Sequence, residues 1–234
     1  MLVPSCNNST NVSGYTARHK VVAGWIVCLL ILFIPKQQNA QPFADKEMIQ
    51  RLNKQYSSEA GRRVSALNKL VEQLENKEVR EQLIGVNRFF NQFSYKEDKQ
   101  LWGQEDYWAT PEEFIGKNAG DCEDYVIAKY FVLRSLGVAD EHLYLTYVKA
   151  VRENRAHMVL SYFENPKSTP LILDNYNQRI LAADKRRDLL PVYSFNAKSL
   201  FLTNASAGLG QSLPTDQIKN NKWKQLLNKV NGSK

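Results

Sequence analysis

The chain has 234 residues, 43% of them hydrophobic, and a formal net charge of +7, so it is long enough to bury one good core and is not disordered throughout. Three of those net charges, Arg18, Lys20 and Lys36, sit in the first forty residues, which contain no acid, leaving +4 on the rest. Basic residues after position 40 alternate with acids and form no aromatic-basic stripe, which excludes nucleic acid as the expected partner.

Residues 1–40 read as a targeting segment. Arg18, His19 and Lys20 precede an unbroken apolar run from Val21 to Ile34, too short for a comfortable span of about 20 residues and suited to a signal h-region. Export is the expectation. Gln38-Asn39-Ala40 lacks a small residue at the −3 position of a cleavage site, so an uncleaved N-terminal membrane anchor is the alternative. Cys6 and Cys28 belong to this segment, leaving Cys122 as the only thiol of a processed chain. A lone thiol in an oxidising compartment is either buried and inert or kept for reaction.

From Asp45 to Leu74 the apolar spacing predicts helix, broken near Ser57–Gly61, and a further helix starts about Glu78 and carries Leu83, Val86, Phe89, Phe90 and Phe93. Residues 94–120 are irregular and aromatic. Within them Thr110-Pro111-Glu112-Glu113 has the form of a capping box with proline at the first helical position, predicting a short helix that Gly116 ends. The loop Trp102–Trp108 is expected to pack near the start of the next helix.

That helix follows Gly120-Asp121-Cys122-Glu123-Asp124. Val126, Ile127, Tyr130, Leu133 and Leu136 recur at helical spacing, and Gly137 suits a left-handed terminating position. Cys122 therefore lies at a helix start, where unpaired backbone N–H groups favour thiolate. Its acidic neighbours oppose that, since like charge raises a thiol pKa. A small apolar cysteine beside dipole-complementing acids would also fit this stretch.

After Gly137 the period changes to two. Residues 143–151, 156–163 and 170–176 read as strands of an antiparallel meander on which the Cys122 helix packs, with a further strand at 192–195. Asn204–Gly210 reads as a linker and the residues around Ile218–Val230 as a short helix. The expected organisation is a leader at 1–40, one α+β domain at 41–203 and a C-terminal linker and helix at 204–234.

A thiolate nucleophile needs a base, and the base an orienting group. Past the leader there are two histidines. His142 lies in a polar turn, and His157 lies inside a strand. A hairpin symmetric about Asn165-Pro166 pairs His157 with Asp174 on one face, so Asp174 would reach Nδ1 and leave Nε2 for the thiol. A one-residue slip would separate them, and Asn175 and Asn177 stand as alternative orienting residues.

Trp102-Gly103-Gln104…Asp106-Tyr107-Trp108-Ala109-Thr110-Pro111, Gly120-Asp121-Cys122-Glu123-Asp124, Ala156-His157-Met158-Val159-Leu160 and Leu173-Asp174-Asn175, in this order, resemble the bacterial transglutaminase-like cysteine proteinases of the LapG type over roughly residues 45–200. The resemblance implies a papain-like, transglutaminase-like fold and a periplasmic endopeptidase that clips a large surface adhesin near its N-terminus at a di-alanine site, releasing cells from a biofilm. It implies Ca2+ dependence and sequestration by an inner-membrane, LapD-like cyclic-di-GMP receptor. Carried over by motif, Cys122 is the nucleophile, His157 the general base and acid, and Asp174 the orienting residue. Asp121 and Glu123 match the calcium-binding acids, with Asp124 a further ligand. The Cys122 N–H is an expected oxyanion donor, with Trp102 Nε1 or Gln104 as a second. An acyl transferase and a non-catalytic calcium-stabilised binding module are the competing readings.

Overall fold

The structure is a computed structural model that describes residues 43–204, 208–213 and 221–232. The leader expected at 1–40 lies outside the described residues. No helix among them is long and apolar enough to cross a membrane.

Two helices come first, α1 (Lys46–Gln55) and α2 (Ser58–Leu74), separated at the expected break because Ser57 caps α2 by accepting the Ala60 N–H. Helix α3 (Val79–Phe90) follows, then a two-residue strand β1 (Ser94–Tyr95) and a one-turn helix α4 (Asp98–Leu101). Helix α5 (Pro111–Lys117) has both halves of the capping box: Thr110 accepts from the Glu113 N–H, and Glu113 accepts from the Thr110 N–H. Its end differs from expectation. Gly116 does not stop the helix; Asn118 does, in the left-handed region at φ 53. Gly116 instead admits the Tyr56 ring, which any Cβ there would strike.

Strand β2 (Ala119–Gly120) pairs with β1 and delivers the chain to α6 (Cys122–Ser135). Gly137, at φ +90, turns the chain out of α6 as its spacing implied. A seven-stranded sheet follows, with neighbour order β6-β5-β4-β3-β7-β8-β9. Its strands are β3 (Leu143–Ala150), β4 (Arg155–Tyr162), β5 (Leu171–Leu173), β6 (Leu181–Ala182), β7 (Leu189–Phe195), β8 (Leu200–Asn204) and β9 (Gly208–Leu213). All its pairings are antiparallel. Residues 208–210, read above as linker, are thus part of an edge strand.

Period-two alternation sorts the sheet residues. Leu145, Met158, Leu160, Leu173 and Phe195 join Val126, Ile127, Val132 and Leu133 of α6 and the apolar stripes of α1–α3 in one core. Val148, Val159, Ile172 and Leu189 form a second, small cluster. The last helix, α7 (Asn221–Gly232), seats Trp223 and Leu226 in the main core. This is an α+β architecture in which a helix bearing the cysteine at its first turn packs on an antiparallel sheet.

Candidate active site

Cys122 is the first residue of α6, partly buried, and the free cysteine of the described chain. Asp121 occupies the N-cap position, yet its side chain makes no capping hydrogen bond. Asp45, Ser57 and Thr110 all cap their helices in the ordinary way. Asp121 is therefore directed elsewhere. The Cys122 thiol donates to Glu123 Oε2 at 3.1 Å. Burial, then the charges of Glu123 and Asp121, push the thiol well above its ordinary pKa, while the Met158 N–H aimed at the sulfur opposes them. That N–H belongs to the residue after His157, so the sulfur sits beside β4 at this point of the sheet. Pairing of β5 to β4 stops at Leu173↔Leu160, which ends β5 short of the cysteine.

His157 and Asp174 meet with no exposed side-chain surface, His157 Nε2 lying 2.8 Å from Asp174 Oδ1. The pairing is not the symmetric hairpin. Leu160 opposes Leu173 and Ser161 opposes Ile172, a register which, continued, puts Tyr176 opposite His157. The difference is two residues, and an even shift keeps the same faces together. Asp174 thus remains within reach as a diagonal neighbour. Tyr176 takes the opposing place and stacks on the imidazole, ring centroids 4.0 Å apart and 10° from parallel.

The ring nitrogens are reversed from expectation. Nε2 faces the carboxylate, while Nδ1 is buried with no hydrogen-bond partner among the described residues. Asp174 Oδ1 also accepts the Tyr176 N–H at 3.0 Å, and its Oδ2 accepts from Arg186 Nη2 at 2.6 Å. Burial raises the pKa of this carboxyl, but bonds from His157, Tyr176 and Arg186 outweigh it and hold the group down at about 2. Neither alternative orienting residue takes this place. Asn177 Oδ1 accepts from the Arg179 N–H, and Asn175 Oδ1 is buried without a partner among the described residues. His142 Nδ1 contacts the Phe163 carbonyl at 2.7 Å and belongs to another part of the fold.

Behind the dyad lies Lys129, one helix face along α6 from Cys122 and wholly buried. Its Nζ donates to Asn91 Oδ1 at 2.7 Å, and Asn91 Nδ2 donates to the Asp174 carbonyl at 2.8 Å. Desolvation lowers the lysine to about 7 against the attraction of Asp174.

The carboxylates form a separate knot. Oxygens of Asp98, Asp121 and Asp124 lie within 4.8 Å of one another. Asp124 Oδ1 accepts the Ala109 N–H at 2.8 Å, and Asp98 Oδ2 accepts the Tyr107 N–H. The loop Trp102–Trp108 is thereby folded against the start of α6, as expected. Each of the three acids keeps one buried oxygen with no partner among the described residues: Asp98 Oδ1, Asp121 Oδ1 and Asp124 Oδ2. Burial comes first in raising all three, Asp98 to about 6, Asp121 to about 10 and Asp124 well above the carboxylate range, and the charge of Glu123 is the leading repulsion on each. Such a set, short of positive charge and with oxygens converging, fits a hard divalent cation. Gly120 makes room for it, since a Cβ there would collide with the Asp124 carboxylate.

Of the expected ligands, Asp121 and Asp124 converge with Asp98, and Glu123 converges with Asp98 and Asp106 in an overlapping group while also accepting from the thiol; Asp98 was not among the expected acids. Of the proposed oxyanion donors, Trp102 packs against Tyr107 with centroids 4.7 Å apart and the rings tilted by 36°, and its Nε1 is buried without an acceptor among the described residues. Gln104 lies exposed in the same turn.

Residues 38–188 match the family described as bacterial transglutaminase-like cysteine proteinase, BTLCP. The chain belongs to this family. None of the curated proteins compared matches it. Among solved structures, the EGTA-treated form of Legionella pneumophila LapG is 41% identical, with a TM-score of 0.68 over 81% of this chain and 99% of that one. The calcium-bound form of the same Legionella protein is 42% identical, with a TM-score of 0.67 over 79% of this chain and 98% of that one. Membership and likeness together make the architecture a papain-like, transglutaminase-like fold and the protein a LapG-type cysteine protease.

Proposed function

We propose that this cysteine protease is a calcium-dependent periplasmic endopeptidase that cuts the N-terminal region of a large surface adhesin and so promotes release from a biofilm. Cys122 is its nucleophile, His157 its base and acid, and Asp174 the group that orients His157. The observation that carries this reading is the buried His157–Asp174 pair. Nε2 is committed to the carboxylate, and Nδ1 is left for a proton on the side chain of the residue packed against β4 beside it.

In this reading Nδ1 removes the Cys122 proton, and the sulfur attacks the scissile carbonyl. The imidazolium, stabilised by Asp174, then protonates the leaving amine. Water activated at the same nitrogen hydrolyses the thioester. The Cys122 N–H, which as a first-turn group has no intrahelical acceptor, donates to the developing oxyanion, with Trp102 Nε1 or Gln104 as the second donor. Asp98, Asp121 and Asp124, with Glu123 alongside, hold Ca2+. The cation's charge offsets the carboxylate field that otherwise keeps the thiol protonated. Support comes from the partnerless oxygens of the three aspartates and from the calcium-bound Legionella neighbour.

Sequestration by an inner-membrane cyclic-di-GMP receptor of the LapD type is proposed on the likeness to LapG alone. The decisive assay incubates the chain with the N-terminal part of a large secreted adhesin, with calcium or with chelator. A single cut in calcium, none in chelator and none with Cys122→Ala is the expected result. An uncut fragment with calcium present, or amine incorporation in place of hydrolysis, would refute it.

A further inference from the structure

Asp174 has one donor that no local turn explains. His157 Nε2 and the Tyr176 N–H both serve Oδ1, whereas Oδ2 is reached by Arg186, a residue only 2% exposed. Arg186 is held from behind by Asp188, its Nε lying 3.0 Å from Oδ1 and its Nη2 2.8 Å from Oδ2 of that residue. Burying a guanidinium is strongly unfavourable unless it is paired and hydrogen-bonded. Asp188, 36% exposed, could pair with an arginine at the surface without that cost. The cost is visible as well, since Nη1 is buried with no partner among the described residues. What the buried position gains is contact with Asp174.

A carboxylate turns about its Cβ–Cγ bond unless both oxygens are held. With Oδ2 fixed by a charge-assisted bond, Oδ1 is aimed at Nε2, and the imidazole keeps the tautomer that leaves Nδ1 free to accept. On the opposite flank Asn91, braced by Lys129, fixes the Asp174 backbone carbonyl. The backbone and the second oxygen are therefore anchored from separate elements. We infer that Arg186 is a positioning residue of the cysteine protease site: it sets the plane of the Asp174 carboxylate and, through it, the orientation and tautomer of His157. The inference rests on Cys122, His157 and Asp174 being the catalytic set.

The test uses the full chain labelled with 15N-histidine. The wild type should show a low-field proton for His157 Nε2–H bonded to Asp174. R186L should lose that resonance and slow both peptide cleavage and alkylation of Cys122 by iodoacetamide about tenfold or more, with KM little changed. R186K, a point charge without the fork, should restore part of both. In the D174N background R186L should add less than about twofold, because the arginine acts through the carboxylate. If R186L does not fold, D188N loosens the same guanidinium without stranding a buried charge, and it should weaken the resonance and the rates in parallel. A folded R186L with the wild-type resonance, an unchanged D188N resonance where R186L does not fold, or losses that multiply in the D174N background would overturn the inference. The resonance needs no substrate, so it decides the role of Arg186 even where the catalytic reading fails.

Discussion

His157 Nε2 lies 2.8 Å from Asp174 Oδ1, and neither side chain is exposed. The bond commits Nε2 to donate, so any proton taken from Cys122 arrives at Nδ1. Asp174→Asn keeps size and shape but offers an amide that favours the wrong tautomer. We predict a fall in kcat of about 100-fold or more with KM within a factor of two, measured by steady-state cleavage.

The same carboxylate ties stability to acid. Its pKa is held at about 2, below the ordinary 3.8, so its contribution is present in full above the ordinary carboxylate range and is lost as pH falls from about 4 to about 2. The depression corresponds to about 2 kcal/mol. Urea unfolding at pH 6 and at pH 2.5 should show the advantage of wild type over Asp174→Asn shrinking by about two thirds of that amount, since pH 2.5 still lies above the folded pKa. A constant difference would contradict the linkage.

Removal of one acid from the carboxylate knot should act with opposite signs in two conditions. In chelator, Asp98→Asn relieves the repulsion that Asp98 shares with Glu123 and Asp106 and adds to Asp121 and Asp124, and should raise the thermal midpoint. In calcium it removes a ligand and should weaken binding about tenfold by calorimetry. Wild type should gain about 3 kcal/mol at calcium a hundredfold above its Kd, and the variant less. An unchanged calcium affinity would exclude Asp98 from the site.

Lys129 predicts a different pH dependence. Burial lowers it to about 7 from 10.5, so the cost of holding its charge is fully present below pH 7 and is relieved as pH rises toward 10.5. That cost is about 4 to 5 kcal/mol. Lys129→Met would remove it but leave Asn91 Oδ1 unpaired at about 1 to 3 kcal/mol. The variant should therefore be about 2 kcal/mol more stable at pH 6, and the advantage should vanish by about pH 10.

Much of this was legible because it is periodic. The α6 stripe, the terminating Gly137 and the capping box at Thr110 act locally, and each stands where its spacing put it. Asp174 was legible for a subtler reason: the β4–β5 turn shifts the register by two, and an even shift preserves the face although it moves the opposing residue to Tyr176. The exchange of Nδ1 for Nε2 was not legible, because it depends on where β5 stops. Asp98 was hidden in a charged Lys96–Lys99 stretch that reads as solvated. Its burial comes from the Trp102–Trp108 loop closing over it. Arg186 was likewise masked by a run of charges from Lys185 to Asp188. Glu123 accepts from the neighbouring thiol and shares Asp98 with the knot, a double placement that adjacency to Cys122 alone did not show.

The most direct test is the rate at which iodoacetamide alkylates Cys122 at pH 7 in calcium, compared between wild type and His157→Ala. If the imidazole activates the sulfur, the variant should react about 100-fold more slowly. Equal rates in two folded proteins would contradict the account.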